Sequence, residues 1–312
     1  MHLRLARLNN ELGAMHAAEF HREQSSACYE AAIEAAEQLT GSHVAGQIEL
    51  ARAHLNSGYR PPNLNRGESL TADQRVADLS HVDRAIDILQ SLKDAQQQST
   101  TTNILHARSL LARSRISSKP RDKHDDVRDA VSILRSQLDA TPDDTNVRFE
   151  LVATLADVNV RGLRSRARLN DASRRLREAL DEISKLRSSN PDNEVFLTNE
   201  VHLRHKVSAV LRTRSRSRFD DADAVLSEAI QLQTTLIQKW PDSVPHRCWR
   251  AMLYRSQAEL YRQWGRADAS KDAITNAKAD IDAVESESAD HPMVKRTRDA
   301  VNGLGNAPTS SP

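Results

Sequence analysis

Residues 268–277 read DASKDAITNA, and within them Ser270, Ile274 and Ala277 set a small residue, a large apolar residue four positions on, and another small residue three further. Positions four and three apart share one face of a helix, so the small residues admit a neighbouring helix while the large one fills the groove between the two. Working back along the chain, the spacing recurs at Ala222, Leu226, Ala229, at Ala172, Leu176, Ala179, at Ala130, Leu134, Gln137, at Ala85, Leu89, Leu92 and at Ser25, Tyr29, Ala32. Six occurrences imply six helical hairpins, each carrying the signature on its second helix.

Prolines punctuate the same rhythm. Pro142, Pro191, Pro241 and Pro292 follow one another at intervals of 49, 50 and 51 residues, and Asp follows each of the first three. Proline cannot continue a preceding helix, and the Asp after it is expected to cap the next. An interval of that length holds two helices of about 20 residues, each about 30 Å long, with a connection. Between the boundaries apolar residues recur at helical spacing, as in Phe149, Val152, Ala153, Leu155 and Ala156, and alternating β-type runs are absent. The expected fold is all-α, one helical-repeat domain over 1–303 with units at about 1–41, 42–96, 97–141, 142–190, 191–240 and 241–291 and a capping helix at 292–303. A long loop is expected over 58–73, around Tyr59-Arg60-Pro61-Pro62, and a disordered tail over 304–312.

Taken together, Tyr254, Ala258, Tyr261, Gly265, Ser270, Ile274 and Ala277 resemble a tetratricopeptide (TPR) repeat, with Gly265-Arg266 in the place of that family's tight inter-helix turn. Leu12 and Gly13, ahead of Ser25, Tyr29 and Ala32, are similar. The other units depart from the family, which repeats at 34 residues, and a HEAT-like array also accommodates them. The resemblance implies an α-solenoid, a right-handed superhelix whose first helices line a concave, partner-binding face. By that resemblance the inward positions are Met252, Arg255, Glu259, Arg262 and Gln263, and in the less regular units Arg7 and Asn10, Glu150 and Asp157, and Arg204 and Arg212.

Composition agrees with a helix-rich, folded chain: 312 residues, 38% hydrophobic, 28% charged, 9 Gly and 10 Pro. No apolar run reaches membrane-spanning length and the first residues lack a secretory core, so a cytoplasmic location without membrane association is expected. Cys28 and Cys248 lie on different units and are expected to be packing residues. No cap precedes the first helix, whose outer face is expected to lie open for a preceding domain, a second copy or a partner.

No catalytic or cofactor signature emerges. Phosphate-cradling glycine loops, kinase triplets and GxSxG are missing. The nearest histidine pairs, His202 with His205 and His16 with His21, have neither i,i+4 spacing nor a matching ligand set, so no metal is expected and surface or capping histidines are the reading. Asp125-Asp126 and Asp220-Asp221 are expected just before second helices, where carboxylates cap amides. Trp240, Trp249 and Trp264 are read as gap fillers between helices.

Charge is uneven: 9 basic and 13 acidic residues in 1–100, 25 and 20 in 101–240, 10 and 10 in 241–312. Basic residues recur after the first helix of three units: Arg113, Arg115, Lys119, Arg121 and Lys123; Arg161, Arg164, Arg166 and Arg168; Arg212, Arg214, Arg216 and Arg218. Stacking would align them as a ridge for a polyanion, while helix dipoles and nearby Asp residues account for them locally. The functional expectation is a non-catalytic scaffold or adaptor that binds another protein or peptide segment. Two alternatives stand: the regulatory arm of a larger signalling enzyme, such as the bacterial serine/threonine kinases in which regions of this look follow the kinase domain, and a polyanion or nucleic-acid binder. Aromatics at 4% speak against base stacking.

Overall fold

The computed structural model describes residues 1–18, 22–39, 43–58, 71–117, 120–158, 160, 165–214 and 216–305. Among them the architecture is all-α: thirteen α-helices follow one another and no strand occurs. Two compact units divide the chain, Met1–Thr154 and Leu155–Pro312.

In the first unit the helices are α1 (His2–Ala18), α2 (Arg22–Glu37), α3 (Val44–Gly58), α4 (Ala72–Asp94), α5 (Thr100–Ile116), α6 (Pro120–Ala140) and α7 (Thr145–Leu155), the unit boundary falling in the last turn of α7. From α1 to α6 each helix packs on the next, and α1 also touches α3 as α3 touches α5. The second unit holds α8 (Arg166–Ser189), α9 (Glu194–Arg214), α10 (Phe219–Lys239), α11 (Val244–Gln263), α12 (Ala267–Ser288) and α13 (Pro292–Gly305). Each packs on its successor, and α13 lies against both α11 and α12. Contact between neighbours, and between alternate helices, is how a helical-repeat chain buries its surface without one central core.

The small-large-small positions sit where that packing needs them. All are buried except Gln137 and Ile274, which are half-buried. With only a methyl or hydroxymethyl at the crossing, backbones approach closely enough for hydroxyls to bridge helices: Ser270 Oγ donates to the Ala258 carbonyl at 3.0 Å, and Ser208 Oγ to that of Ala222 at 2.8 Å. Gly13 extends the logic to α1, where an added Cβ would stand 2.5 Å from Cε1 of the buried Tyr29. Gly265 connects α11 to α12 at φ +79°, a backbone that residues with a Cβ rarely adopt.

The proline boundaries repeat one turn. At 141–144, 190–193 and 240–243 the fourth residue's amide donates to the first residue's carbonyl, at 3.1, 3.2 and 3.1 Å, with Pro in the second position. Capping differs from the sequence expectation. The Asp after Pro occupies the turn, and the cap comes one residue later: Asp144 Oδ1 accepts from the Asn146 and Val147 amides, Asn193 Oδ1 from Phe196, and Ser243 Oγ from His246. The four-residue turn sets this offset, since its last residue is the first to precede helical backbone. Pro292 is the exception and begins α13 itself, with His291 Nδ1 accepting from the Met293 amide at 3.2 Å.

Two further expectations are corrected. Asp125 and Asp126 lie inside α6, and Asp126 is buried with Arg113 donating to both its oxygens at 3.0 and 2.7 Å. At the other end, α13 continues through Gly303 and Leu304, because Leu304 is buried against Ala258 and Ala273. The tail beyond 305 and most of the 58–73 loop lie outside the described residues, while Gly58 ends α3 and Thr71 caps α4 in a capping box with Gln74.

Candidate partner-binding face

The second unit assembles α9 and α11, the first helices of adjacent hairpins, over a shared core. Leu197 and Val201 of α9 and Leu253 of α11 meet Leu226, Ala229, Ile230 and Leu236 of α10, with Trp240 and Trp249 packed against them. Burial of these residues fixes which sides of α9 and α11 remain for other contacts.

Two groups of ion pairs cross between the helices of this unit. Glu200 is fully buried, its two carboxylate oxygens facing Arg187 at 3.2 Å and Arg204 at 2.8 Å, while Arg204 also reaches Glu228 on α10. Two turns further along α9, Arg212 shares Glu259 of α11 with Arg255, at 3.3 and 2.8 Å. Arg255 Nε donates to the Ala300 carbonyl at 2.8 Å and Arg262 Nη2 to that of Leu304 at 2.6 Å. The Leu304 carbonyl belongs to the last turn of α13, where helical carbonyls lack partners of their own and the dipole favours cations, and Ala300 lies one turn earlier. Met252 is half-buried and Gln263 is exposed.

Between the two helices lies a cluster that the histidine spacing had not revealed. His202 and His205 meet the edge of Trp249, with ring centroids 4.3 and 5.8 Å away, and His205 Nε2 lies 2.9 Å from Ser256 Oγ. Loss of water around each ring holds both down to about 4, helped for His202 by His205 and Lys206 and for His205 by Arg212, Lys206 and Arg255. These histidines are neutral packing groups at neutral pH, where surface or capping histidines had been expected. Spacing of i and i+3 was a usable sign that they share a face, but nothing in it named Trp249 as what they face.

The remaining sequence candidates are placed elsewhere. Glu150 and Arg108 of α5 form a bidentate pair in the first unit, with Nε to Oε2 at 2.9 Å. Arg7 and Asn10 converge on Glu49, at 3.2 Å from Arg7 Nε to Oε1 and 3.3 Å from Asn10 Nδ2 to Oε2. The Asp157 carbonyl accepts from Arg175 at 3.1 Å.

Of the basic ridge, Arg166 and Arg168 are exposed in the first turn of α8, Arg113 is held by Asp126 and Asp83, and Arg218 pairs with Asp221 at 2.8 Å. Arg161 and Arg164 lie outside the described residues, as do the side chains of Arg214 and Arg216. The tryptophans pack as gap fillers: Trp240 and Trp249 on the core above, Trp264 edge-on to Phe219 at 5.9 Å with the Arg266 guanidinium 3.4 Å from its ring centre. Cys28 and Cys248 are free thiols, half-buried and buried respectively. Among the described residues no group of three or more His, Cys, Asp or Glu is placed to hold a metal, and no helix is long and apolar enough to cross a membrane.

Among the described residues, helix-on-next-helix packing from α1 to α6 and again from α8 to α13 defines an all-α fold of the helical-repeat type. The solved structures it is similar to include that of the S. pombe nuclear import adaptor Nro1, at 13% identity and TM-score 0.52 over 96% of this chain and 98% of that one. A second structure of Nro1, described as a hypoxic regulator of sterol synthesis that is a nuclear import adaptor, matches at 14% identity and TM-score 0.53, covering 96% and 92% of the two chains. A TPR protein of Thermus thermophilus, TTC0263, matches at 16% identity and TM-score 0.32 over 95% and 99%. No protein-family model matches the chain, and no curated protein matches it in sequence.

Proposed function

We propose that this chain is a non-catalytic adaptor that holds a polar, net-acidic segment of another protein along the exposed side of α9 and α11. The observation that carries the reading is the set of cross-helix pairs: Arg204, Arg212, Arg255 and Arg262 are already ordered by Glu200, Glu259 and the carbonyls of α13. Held guanidiniums lose less freedom when a partner arrives, and their remaining donors are aimed in a fixed direction. Arginines outnumber the carboxylates they share, which favours an acidic partner. The overall likeness to an adaptor of nuclear import agrees with a protein-holding role, and the resemblance of the α11–α12 residues to a TPR unit supports the use of first helices for recognition. A cytoplasmic location fits such a role.

Because Arg255 and Arg262 also hold α13, reversing their charge would disturb the fold together with the face. Gln263 avoids that difficulty, being exposed on the last turn of α11. A photo-crosslinking residue placed at Gln263 is expected to capture a discrete protein in cells, while the same residue at exposed Lys278 on α12 is not. Equal capture from both positions, or capture from Lys278 alone, would remove the α9 and α11 face from consideration.

A further inference from the structure

The α1 helix wears its large apolar residues on the outside. It buries Ala6, Asn10 and Gly13 towards α2 and α3, and turns Leu5, Leu8, Leu12 and Met15 to solvent with 45%, 60%, 39% and 61% of their surfaces exposed. A helix whose outer face meets only water carries polar residues there, so an apolar stripe of this kind marks a contact surface. Its spacing of three, four and three residues is that of heptad core positions, the pattern by which two helices pack side by side.

The charges flanking the stripe select the occupant. Arg4 and Glu11 are both exposed and lie on the same edge, one heptad apart, with Asn9 and His16 on the other. We infer that the α1 face pairs with the α1 face of a second copy of this chain, antiparallel and about a twofold axis. In the register that sets Leu5 over Leu8 of the second copy, and Leu12 over its Met1, Arg4 stands against Glu11 of that copy and Glu11 against its Arg4. The alternative antiparallel register, with Leu8 over Leu12, sets Glu11 against itself. A twofold interface requires each feature to meet its complement on the same surface, and these two residues satisfy that requirement. This inference involves only α1 and is independent of the reading of α9 and α11.

Sedimentation velocity on the full chain from roughly 1 to 200 µM, a range suited to a small helix-pair interface, is the test. The wild-type chain is expected to shift from monomer to dimer across it. Arg4→Glu, which opposes like charges twice, should weaken dimerisation about tenfold. Combining Arg4→Glu with Glu11→Arg should restore it to within about threefold, since the pairs are re-formed with signs exchanged. Leu8→Lys should give monomer throughout with an unchanged far-ultraviolet spectrum, because the site is exposed. A monomeric wild-type chain at the highest concentration would overturn the inference and assign the stripe to a different protein. Failure of the charge exchange to restore what Arg4→Glu loses would overturn it as well.

Discussion

Removing the Asp280 carboxylate should loosen the second unit more than any other single polar change on α12. Asp280 is buried at 3% exposure and receives both Arg250 Nε at 2.8 Å and Nη2 at 2.6 Å, tying α11 to α12, while Arg250 Nη1 reaches Thr234 Oγ1 on α10 at 3.1 Å. In Asp280→Ala the guanidinium keeps only the threonine hydroxyl, and its charge remains largely shielded from water, the Arg250 side chain being 19% exposed. Breaking a fully buried pair by deleting one partner costs about 3–5 kcal/mol, and the exposed fifth of Arg250 brings the expectation to about 2–4 kcal/mol. Replacing both partners, as Arg250→Met with Asp280→Leu, removes the stranded charge and should recover most of that loss. Urea unfolding followed by tryptophan fluorescence is a suitable assay, since Trp240, Trp249 and Trp264 all report on this unit. A loss below about 1 kcal/mol in Asp280→Ala, or a double variant no better than the single one, would refute the argument that the pair matters through the charge it neutralises.

Acidification should act through the neutral histidines. His202 and His205 are held to about 4 in the folded chain against about 6.5 unfolded, so their contribution is complete above pH 6.5 and declines as pH falls towards 4. At pH 5 that amounts to at most about 2 kcal/mol per ring. The slope of stability against pH between 6.5 and 4 should be shallower in the His202→Gln, His205→Gln variant than in wild type; an identical slope would show that the rings titrate normally. Gly265→Ala should cost about 1 kcal/mol in the same urea assay despite open space around the site, because its φ of +79° is strained for any residue with a Cβ. An unchanged midpoint would mean that the turn can adopt another backbone conformation.

Local rules carried the fold far. Helical spacing, the small-large-small positions and the proline turns are properties of a few neighbouring residues, and Ala222, Leu226 and Ala229 are buried because any helix with that face must bury it. The cap offset was less accessible, since Asp143, Asp192 and Asp242 are good capping residues and only the closed turn moves the cap to Asp144, Asn193 and Ser243. What the sequence concealed depends on distant partners. That Arg255 and Arg262 would find the carbonyls of Ala300 and Leu304, some forty residues further on, follows from where α13 lies. The pairing of Arg113 with both Asp83 and Asp126 likewise joins three helices, and no single stretch records it.

In the proposed role α9 and α11 present the recognition surface. Hydrogen exchange on the full chain, alone and with the protein captured at Gln263, tests it most directly. Slowed exchange in α9 and α11 with little change in α8 and α12 is expected. Protection confined to α8 and α12, or spread evenly over the second unit, would contradict it.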